Sequence, residues 1–441
     1  ESRARRTQNW TEFEQAQEEY EAQELGTDDT KFGQYQLPGG PLSRDTEILT
    51  DGGWVRIDAV QIGQQVLTRK DEDGVLEWQP VLAKPSVFAD ELYHFKSQSI
   101  DMMVTANHKM VVKRRRRSSD KILRMTAKKL WGSSEMLVPL TGTWNGGGSE
   151  KIFGLDAGDV AEFMGWYIAE GSYKHQNGHK HTLQIAQCDK ANSEKCDRLR
   201  ILMDRLGLSF KYYKGAFGVH TRQMNAGLKD LCHQQPTSGG KYIPSIFFSC
   251  SKPVVDRLLE GLVLGDGHTR GATKGRLSQT MYFTKSKRLA GDVQALAVLA
   301  GRRATVRQRK SELYAVHIAH KEWCSVDDAK HAIVPYNDKA FCVTVENHAI
   351  YVRRNGIAAF TGNSNYREVL VTLPKRGTAQ VRAELVPGST RANGKSDFKV
   401  FDEAGNWTIQ EEALSPDDAI RTAQRFQKAD NSGTFRSSHF D

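Results

Sequence analysis

The sequence predicts a multidomain chain in which an all-β domain is split by an α+β segment, and three observations predict it. At 441 residues the chain is too long for one ordinary domain. Short β-like runs with Gly/Asp turns fill residues 41–145 and return at 331–363, while the stretch between them mixes helix-like and strand-like patterns with a weak internal repeat. Each β-rich part is too short to bury a good core alone, so one β domain with an insertion in a loop is the economical reading.

Taken in order, residues 1–40 read as an amphipathic, acidic helix followed by the loop Leu37-Pro38-Gly39-Gly40. Ser43-Arg44-Asp45-Thr46-Glu47-Ile48-Leu49-Thr50-Asp51-Gly52-Gly53-Trp54 reads as strand, hairpin turn, strand. Val104-Thr105-Ala106-Asn107-His108-Lys109-Met110-Val111-Val112 contains a Thr-x-x-His. Trp144-Asn145-Gly146-Gly147-Gly148-Ser149 reads as a linker. After the central segment, Phe341-Cys342-Val343-Thr344-Val345-Glu346-Asn347-His348-Ala349-Ile350-Tyr351-Val352 and Asn355-Gly356-Ile357 lead to Phe360-Thr361-Gly362-Asn363-Ser364. Beyond that, residues 364–441 read as two or three strands (Tyr366–Leu373, Gln380–Val386) and a polar tail that admits a helix.

Charge is unevenly placed. The whole chain carries +9, whereas residues 151–330 hold 28 Lys and Arg against 17 Asp and Glu, so the central segment accounts for the whole basic excess. That suits contact with a phosphate backbone; a merely soluble basic surface is the plainer alternative. The six Cys are scattered with no CxxC pair, which argues against a zinc site or a disulfide framework and suits a reducing cytoplasm. No apolar run approaches the ~20 residues needed to span a bilayer. No signal-peptide pattern opens the chain, which starts without Met and reads as a fragment.

Asn363-Ser364 is a chemical device as well as a turn. An Asn side-chain amide can attack its own carbonyl carbon and cut the chain behind it, and a hydroxyl on the next residue can hold an acyl group meanwhile. Alone, Asn-Ser is usually a loop.

The four ordered segments quoted above, ending in Asn363-Ser364, resemble the splicing blocks of inteins over residues 41–145 and 330–363. Between them, Met164-Gly165-Trp166-Tyr167-Ile168-Ala169-Glu170-Gly171 recurs as Leu259-Glu260-Gly261-Leu262-Val263-Leu264-Gly265-Asp266-Gly267. These runs look like the paired LAGLIDADG helices of a homing endonuclease, and Lys241-Tyr242-Ile243-Pro244 also matches that family. The resemblance implies an all-β, horseshoe-like Hint splicing domain split by an α+β LAGLIDADG endonuclease with a pseudo-twofold repeat. The implied divisions are 1–40 and 364–441 as flanking host fragments, 41–145 and 329–363 as the splicing domain, and 150–328 as the endonuclease. Joining Gly40 to Ser364 gives a stretch that resembles the LPGG-x-NYRE segment of large phage-associated proteins.

At the upstream junction two registers are open. Counting back from Thr46 puts the first residue at Pro41, which has no side-chain nucleophile; starting at Ser43 leaves Pro41-Leu42 in the host and spoils the join. With Pro41 first, Cys342, where most inteins carry Asp, and Thr361, two residues before the terminal Asn, resemble class 3 inteins, which lack the first nucleophile. That class has Trp two residues after the second-block His, and here the position is Met110. The resemblance implies that Cys342 attacks the Gly40 carbonyl, expelling the Pro41 nitrogen. Ser364 then takes the acyl group, and Asn363 cyclises. A free thiol has pKa ~8.5 and needs a base or positive charge nearby to react at neutral pH; a buried strand cysteine is the plainer fate of Cys342. His108 would donate a proton to the Pro41 nitrogen, which is typically worth ~10²–10⁴-fold. Thr105 would orient it or polarise the scissile carbonyl. Gly362 stands where inteins often have His, leaving His348 as the nearest helper. Splicing itself implies no cofactor.

In the central segment the resemblance implies that Glu170 and Asp266 share divalent metal, Mg²⁺ by the hardness of the donors, for phosphodiester hydrolysis, with Lys241 as a supporting base. Arg302, Arg303, Arg307, Arg309 and Lys310 alternate with apolar residues as on a DNA-facing strand. The run Arg114–Arg117 either extends that footprint or is a solvated loop. The expected activity is autocatalytic splicing plus cleavage of double-stranded DNA at the intein-free host site, by a monomer with no membrane partner. Two alternatives stay open: a splicing domain with an inactive endonuclease, and a Hint-type domain that cleaves without ligating.

Overall fold

The structure is a computed structural model. It describes residues 40–363, apart from 116–120, 132, 134, 177–179, 237–238, 272–278, 310–311 and 328, together with strands between 369 and 413. The expected N-terminal helix, the helical tail, Ser364, Lys310, Arg116 and Arg117 lie outside the described residues. The chain divides into two units, one of residues 38–366 and one of residues 1–37 with 367–441.

The larger unit opens with strands β1 (Glu47–Thr50), β2 (Gly53–Arg56), β3 (Gln65–Arg69), β4 (Val75–Pro80), β5 (Ser86–Lys96), β6 (Asp101–Val104), β7 (Lys109–Arg114), β8 (Leu123–Thr126), β9 (Met136–Pro139) and β10 (Thr143–Trp144). The β1–β2 hairpin turns at Asp51-Gly52, and Gly53 takes φ +110°, as the Asp-Gly-Gly sequence leads one to expect.

Next comes helix α1 (Ala157–Glu170), hairpin β11 (Gly171–Gln176) and β12 (Lys180–Ala186), helix α2 (Ser193–Arg205), hairpin β13 (Phe210–Tyr213) and β14 (Ala216–His220), and helix α3 (Ala226–His233). Then α4 (Lys252–Asp266), β15 (Gly267–Arg270), β16 (Gln279–Thr284), α5 (Lys287–Leu299), β17 (Arg303–Gln308) and β18 (Tyr314–Ala319) repeat the same helix–hairpin–helix–hairpin order. The strands repeat it too: β11-β12-β14-β13 in one half, β15-β16-β18-β17 in the other. The weak sequence repeat is therefore a duplicated unit.

The long strand β19 (Lys330–Phe341) and the hairpin β20 (Ala349–Arg354) and β21 (Ile357–Gly362) return to the first strands. β20 pairs with β1 and β3, and β19 lies along β5, so strands from both sides of the central segment share sheets. The Asn355-Gly356 turn has positive φ at both residues, the conformation that suits a two-residue hairpin.

The central segment is not hung on free tethers. One 11-stranded sheet runs β10-β4-β3-β1-β20-β21-β17-β18-β16-β15 with β2 beside β1, crossing from one set of strands into the other where Thr305 faces Ile357. Gln294, fully buried on α5, donates to Ala304 O and Gly356 O at 2.9 Å each and accepts from Arg353 at 3.1 Å. Arg353 also grips Glu47 through two bonds of 2.6 and 3.0 Å and lies 4.3 Å over the Trp54 ring. The expected linker at 144–149 is packed as well. Trp144 is buried and its Nε1 donates to Cys250 O at 2.7 Å, and a Cβ on Gly146 would lie 2.1 Å from that same oxygen. Apolar side chains at Leu49, Leu67, Leu76, Tyr351 and Phe360 merge into the core of the central helices, which explains why a Gly-rich sequence there is not a hinge.

The second unit shows four antiparallel strands in sequence order, β22 (Val369–Thr372), β23 (Gln380–Leu385), β24 (Ser396–Phe401) and β25 (Trp407–Ala413), two more than the strands named from sequence.

Candidate active sites

The first site gathers both ends of residues 41–363. Gly40 enters buried, and β7 carries His108 just before it, wholly buried. His108 Nδ1 bonds the Gly40 carbonyl, and Nε2 lies 2.7 Å from Thr361 Oγ1 on β21. Burial pushes the imidazole pKa down to about 4, against the smaller upward pull of the Gly40 carbonyl, so the ring is neutral at physiological pH. A carbonyl oxygen only accepts, so Nδ1 holds the proton and Nε2 accepts from the Thr361 hydroxyl. The ring is thereby a donor to the Gly40 oxygen.

This differs from the sequence expectation in one respect. The resemblance puts His108 on the Pro41 nitrogen, and has Thr105 orient His108 or polarise the scissile carbonyl. Instead Thr105 N donates to the next carbonyl, Pro41 O, at 3.1 Å, its hydroxyl stands 3.5 Å from the same oxygen, and it donates to Asn107 Oδ1 at 2.8 Å. Asn107, within the same motif, is an acceptor that the sequence does not single out. A Cβ on Gly40 would lie 1.9 Å from Thr105 Oγ1 and 2.1 Å from Asn107 Oδ1, so the pocket has room only for glycine before Pro41.

Cys342 is buried one residue beyond Phe341, which exchanges two 2.8 Å backbone bonds with Leu42. The Cys342 backbone N–H donates to Pro85 O at 3.0 Å, and its sulfur lies 3.5 Å from Val343 O. Ser43 is fully buried with its hydroxyl 3.1 Å from Thr46 Oγ1. Met110, in place of the class's Trp, is buried with its sulfur 3.6 Å from Thr361 Oγ1. Asn363 is buried, and its N–H donates to His348 O at 3.1 Å. Its Nδ2 donates to Val345 O at 3.0 Å. His348 therefore meets Asn363 through its carbonyl.

The second site lies where α1 and α4 end side by side. Asp156 caps α1 by accepting from Asp159 N, and the helices touch at Gly165 and Gly261: a Cβ on Gly165 would lie 2.6 Å from Leu258 O, and one on Gly261 2.5 Å from Glu162 O. Glu162 and Asp159, buried on α1, are answered by Arg198 and Arg205 on α2 and by Arg257 on α4, fastening the helix bundle at the far end. At the near end both helices finish on a carboxylate followed by an extended Gly.

Burial raises the Glu170 and Asp266 pKa values, and the charge of Asp266 raises Glu170 further. Lys241 interacts with both, yet its ammonium is spent on three carbonyls at the end of α1: Tyr167 at 3.2 Å, Ile168 at 2.8 Å and Gly171 at 2.7 Å. Burial lowers its pKa, opposed by the two carboxylates. Tyr282, a buried phenol that sequence reading missed, senses both acids. Two hard oxygen donors, held close against their mutual repulsion, suit a divalent cation, which would relieve it.

The five basic residues of the expected DNA-facing strand do not act alike. Arg307 and Arg309 are exposed, with Arg309 5.5 Å over Phe283. Together with Arg303 they lower the His317 pKa, after burial, which marks a concentrated positive field on that face. Arg303 itself turns into the β-rich part, donating to Ser99 Oγ at 2.6 Å and Gln98 O at 3.2 Å. Arg302 lines a cleft with Lys252, His320 and Glu322. Arg114 and Arg115 are exposed, and Arg115 stands 3.8 Å from Asp327.

Residues 253–329 match the family described as a LAGLIDADG-like domain. Among curated proteins, the chain is 23% identical over 402 residues to the DNA-directed RNA polymerase subunit beta C-terminal section of Stigeoclonium helveticum, covering 73% of this chain and 36% of that one. It is 23% identical over 305 residues to the ATP-dependent Clp protease proteolytic subunit of Chlamydomonas moewusii, covering 60% and 28%. The chain spans about a third of the length of these relatives. Among solved structures, an AceL NrdHF class 3 split intein aligns at 9% identity and TM-score 0.30, over 74% of this chain and 98% of that one. Mesophilic variants of the homing endonuclease I-DmoI align at 14% identity and TM-score 0.27, over 37% and 89%. No helix among the described residues is long and apolar enough to cross a membrane.

Proposed function

We propose that this chain, which carries a LAGLIDADG-like domain across residues 253–329, is an intein that excises residues 41–363, joins Gly40 to Ser364, and cuts double-stranded DNA. The observation that carries the splicing half is the bridge from the Gly40 carbonyl through His108 to Thr361, because it ties the bond to be broken upstream to the strand that ends in Asn363.

In this reading the Cys342 sulfur bonds the Gly40 carbonyl carbon. His108 Nδ1–H stabilises the oxyanion, and the Gly40–Pro41 bond breaks with a proton passing to the Pro41 nitrogen. The Ser364 oxygen then displaces the thiolate. Asn363 Nδ2 closes on its own carbonyl carbon and releases the Ser364 amine, which takes the acyl group from its own oxygen to leave a peptide. Thr361 donates a hydrogen bond from its hydroxyl to Nε2, holding the imidazole in place against the Gly40 carbonyl.

For the nuclease half, Glu170 and Asp266 would hold the metal. A divalent cation bound there would polarise a phosphate oxygen and an attacking water. Lys241 fixes the end of α1 on which Glu170 sits. Arg307 and Arg309 supply phosphate contacts. The host is a large phage-associated protein, by the LPGG-x-NYRE stretch that joining Gly40 to Ser364 would create.

The test is to express the whole chain and weigh the products. Ligated flanks plus a 41–363 fragment ending in a cyclic imide support the reading. Free flanks without ligation would favour the cleavage-only alternative.

A further inference from the structure

Residue 362 has no space for an imidazole, or for any side chain: a Cβ there would lie 1.9 Å from Lys109 O. What holds Asn363 instead is a turn. Its backbone N–H and its side-chain Nδ2 donate to the carbonyls of His348 and Val345, and Oδ1 is buried with no hydrogen-bond partner among the described residues. The two carbonyls belong to one tight turn, in which His348 N donates to Val345 O at 3.3 Å and His348 takes φ +54°. A non-glycine residue holds that conformation only when its surroundings impose it.

The surroundings here are a polar clasp. On one side Asn347 donates from its backbone to Gln79 Oε1 at 2.9 Å, and from its side chain to Thr68 Oγ1 and Glu77 Oε1, both at 2.9 Å. On the other, Arg124 donates to the His348 carbonyl and, at 3.2 Å, to the Asn347 carbonyl. Its guanidinium is braced by two bonds to Asp71 Oδ2, at 3.0 and 2.6 Å. The His348 oxygen thus joins the Arg124 charge to the Asn363 backbone.

We propose that Arg124, braced by Asp71, is a positioning residue for Asn363 cyclisation, doing through the 345–348 turn what a neighbouring imidazole has no room to do. The proposal rests on the splicing reading. In the step, Nδ2 bonds the Asn363 carbonyl carbon, the bond to the Ser364 nitrogen breaks, and the proton lost by Nδ2 ends on that nitrogen, so no further reactant is needed. A free asparagine side chain samples several rotamers, and two bonds from one rigid turn select among them. A charged donor on the His348 oxygen holds that turn more firmly than a neutral one.

The experiment uses the whole chain with Arg124→Gln, Arg124→Lys and Asp71→Asn, and follows the two junctions separately. Release of residues 1–40 by added dithiothreitol reports the upstream step. Appearance of the imide-terminated fragment reports cyclisation. Arg124→Gln should slow cyclisation by about ten- to a hundredfold, accumulate the branched species and leave thiol-induced release unchanged. Arg124→Lys should recover part of the rate, and Asp71→Asn should fall between. Equal loss of both steps in Arg124→Gln and Asp71→Asn, or cyclisation untouched by Arg124→Gln, overturns the proposal. A parent chain that yields neither product overturns the splicing reading itself, a result distinct from a splicing parent whose cyclisation ignores Arg124.

Discussion

Thr361 and His108 stand 2.7 Å apart, hydroxyl to Nε2, across two strands separated by more than half the chain. The Gly40 carbonyl, which only accepts, keeps the proton on Nδ1, and Nε2 is left to accept from the Thr361 hydroxyl. One imidazole thus joins Gly40 to the strand that runs into Asn363.

A first prediction concerns the two glycines at the junctions. Gly40→Ala puts a methyl 1.9 Å from Thr105 Oγ1, and Gly362→His puts a side chain 1.9 Å from Lys109 O. Gly40→Ala should slow upstream cleavage by about a hundredfold while imide formation at Asn363 persists. Gly362→His, though it restores the residue common in inteins, should slow cyclisation. A faster Gly362→His chain in a time course of fragment masses would contradict the packing account.

A second concerns pH. The His108 pKa falls from 6.5 unfolded to about 4 folded, because burial disfavours its charge. The folded state thus binds fewer protons than the unfolded state between those values. The neutral form's advantage is present above pH 6.5 and is lost as pH falls through 6.5 towards 4, a change of about 3 kcal/mol. Denaturant unfolding of the parent should weaken across that window more steeply than His108→Gln. Identical pH slopes in the two proteins would show that His108 is charged or exposed.

A third concerns DNA. Glu170→Ala and Asp266→Ala should each remove metal-dependent cutting of the fused, intein-free coding junction and leave binding largely intact. Arg307→Ala should weaken binding and reduce the salt slope by about one. Arg303→Ala should instead lower stability, since its bonds go to Ser99 and Gln98. Binding titrations at several salt concentrations, paired with melts, separate the two arginines.

A fourth concerns independence. Gln294 and Arg353 stitch the central segment to the strands around it, with Arg353 only 8% exposed. Residues 38–366 should melt in one transition, and Arg353→Ala should cost about 1–3 kcal/mol, since the buried Gln294 and the part-buried Glu47 lose their charged partner. Two separate transitions in the parent would show that the seam is weak.

Much of this was legible in sequence where chemistry is local. The Asn355-Gly356 turn, the duplicated helix ending in Glu170-Gly171 and Asp266-Gly267, and the Thr105-x-x-His108 spacing each announce a backbone or a reactive group. What the sequence did not disclose depends on which strand lies beside which. Arg124 sits in no motif, and it matters because β8 brings it against the His348 carbonyl. The 144–149 stretch reads as a linker by its glycines, yet Gly146 and Gly148 permit close packing on Cys250. Arg303 and Arg307 alternate identically in sequence, and only the neighbouring loop at Gln98-Ser99 tells them apart. Which carbonyl each side chain meets was equally invisible: His108 bonds Gly40 O, and Thr105 lies against Pro41 O.

The central claim is that Cys342, and no residue at the start of the excised segment, is the first nucleophile. The direct measurement is the product masses from whole chains bearing Cys342→Ala and Ser43→Ala. The account predicts that Cys342→Ala makes neither ligated flanks nor free residues 1–40, while Ser43→Ala, which loses only its contact with Thr46, still makes both. Splicing that survives Cys342→Ala but stops in Ser43→Ala would contradict it.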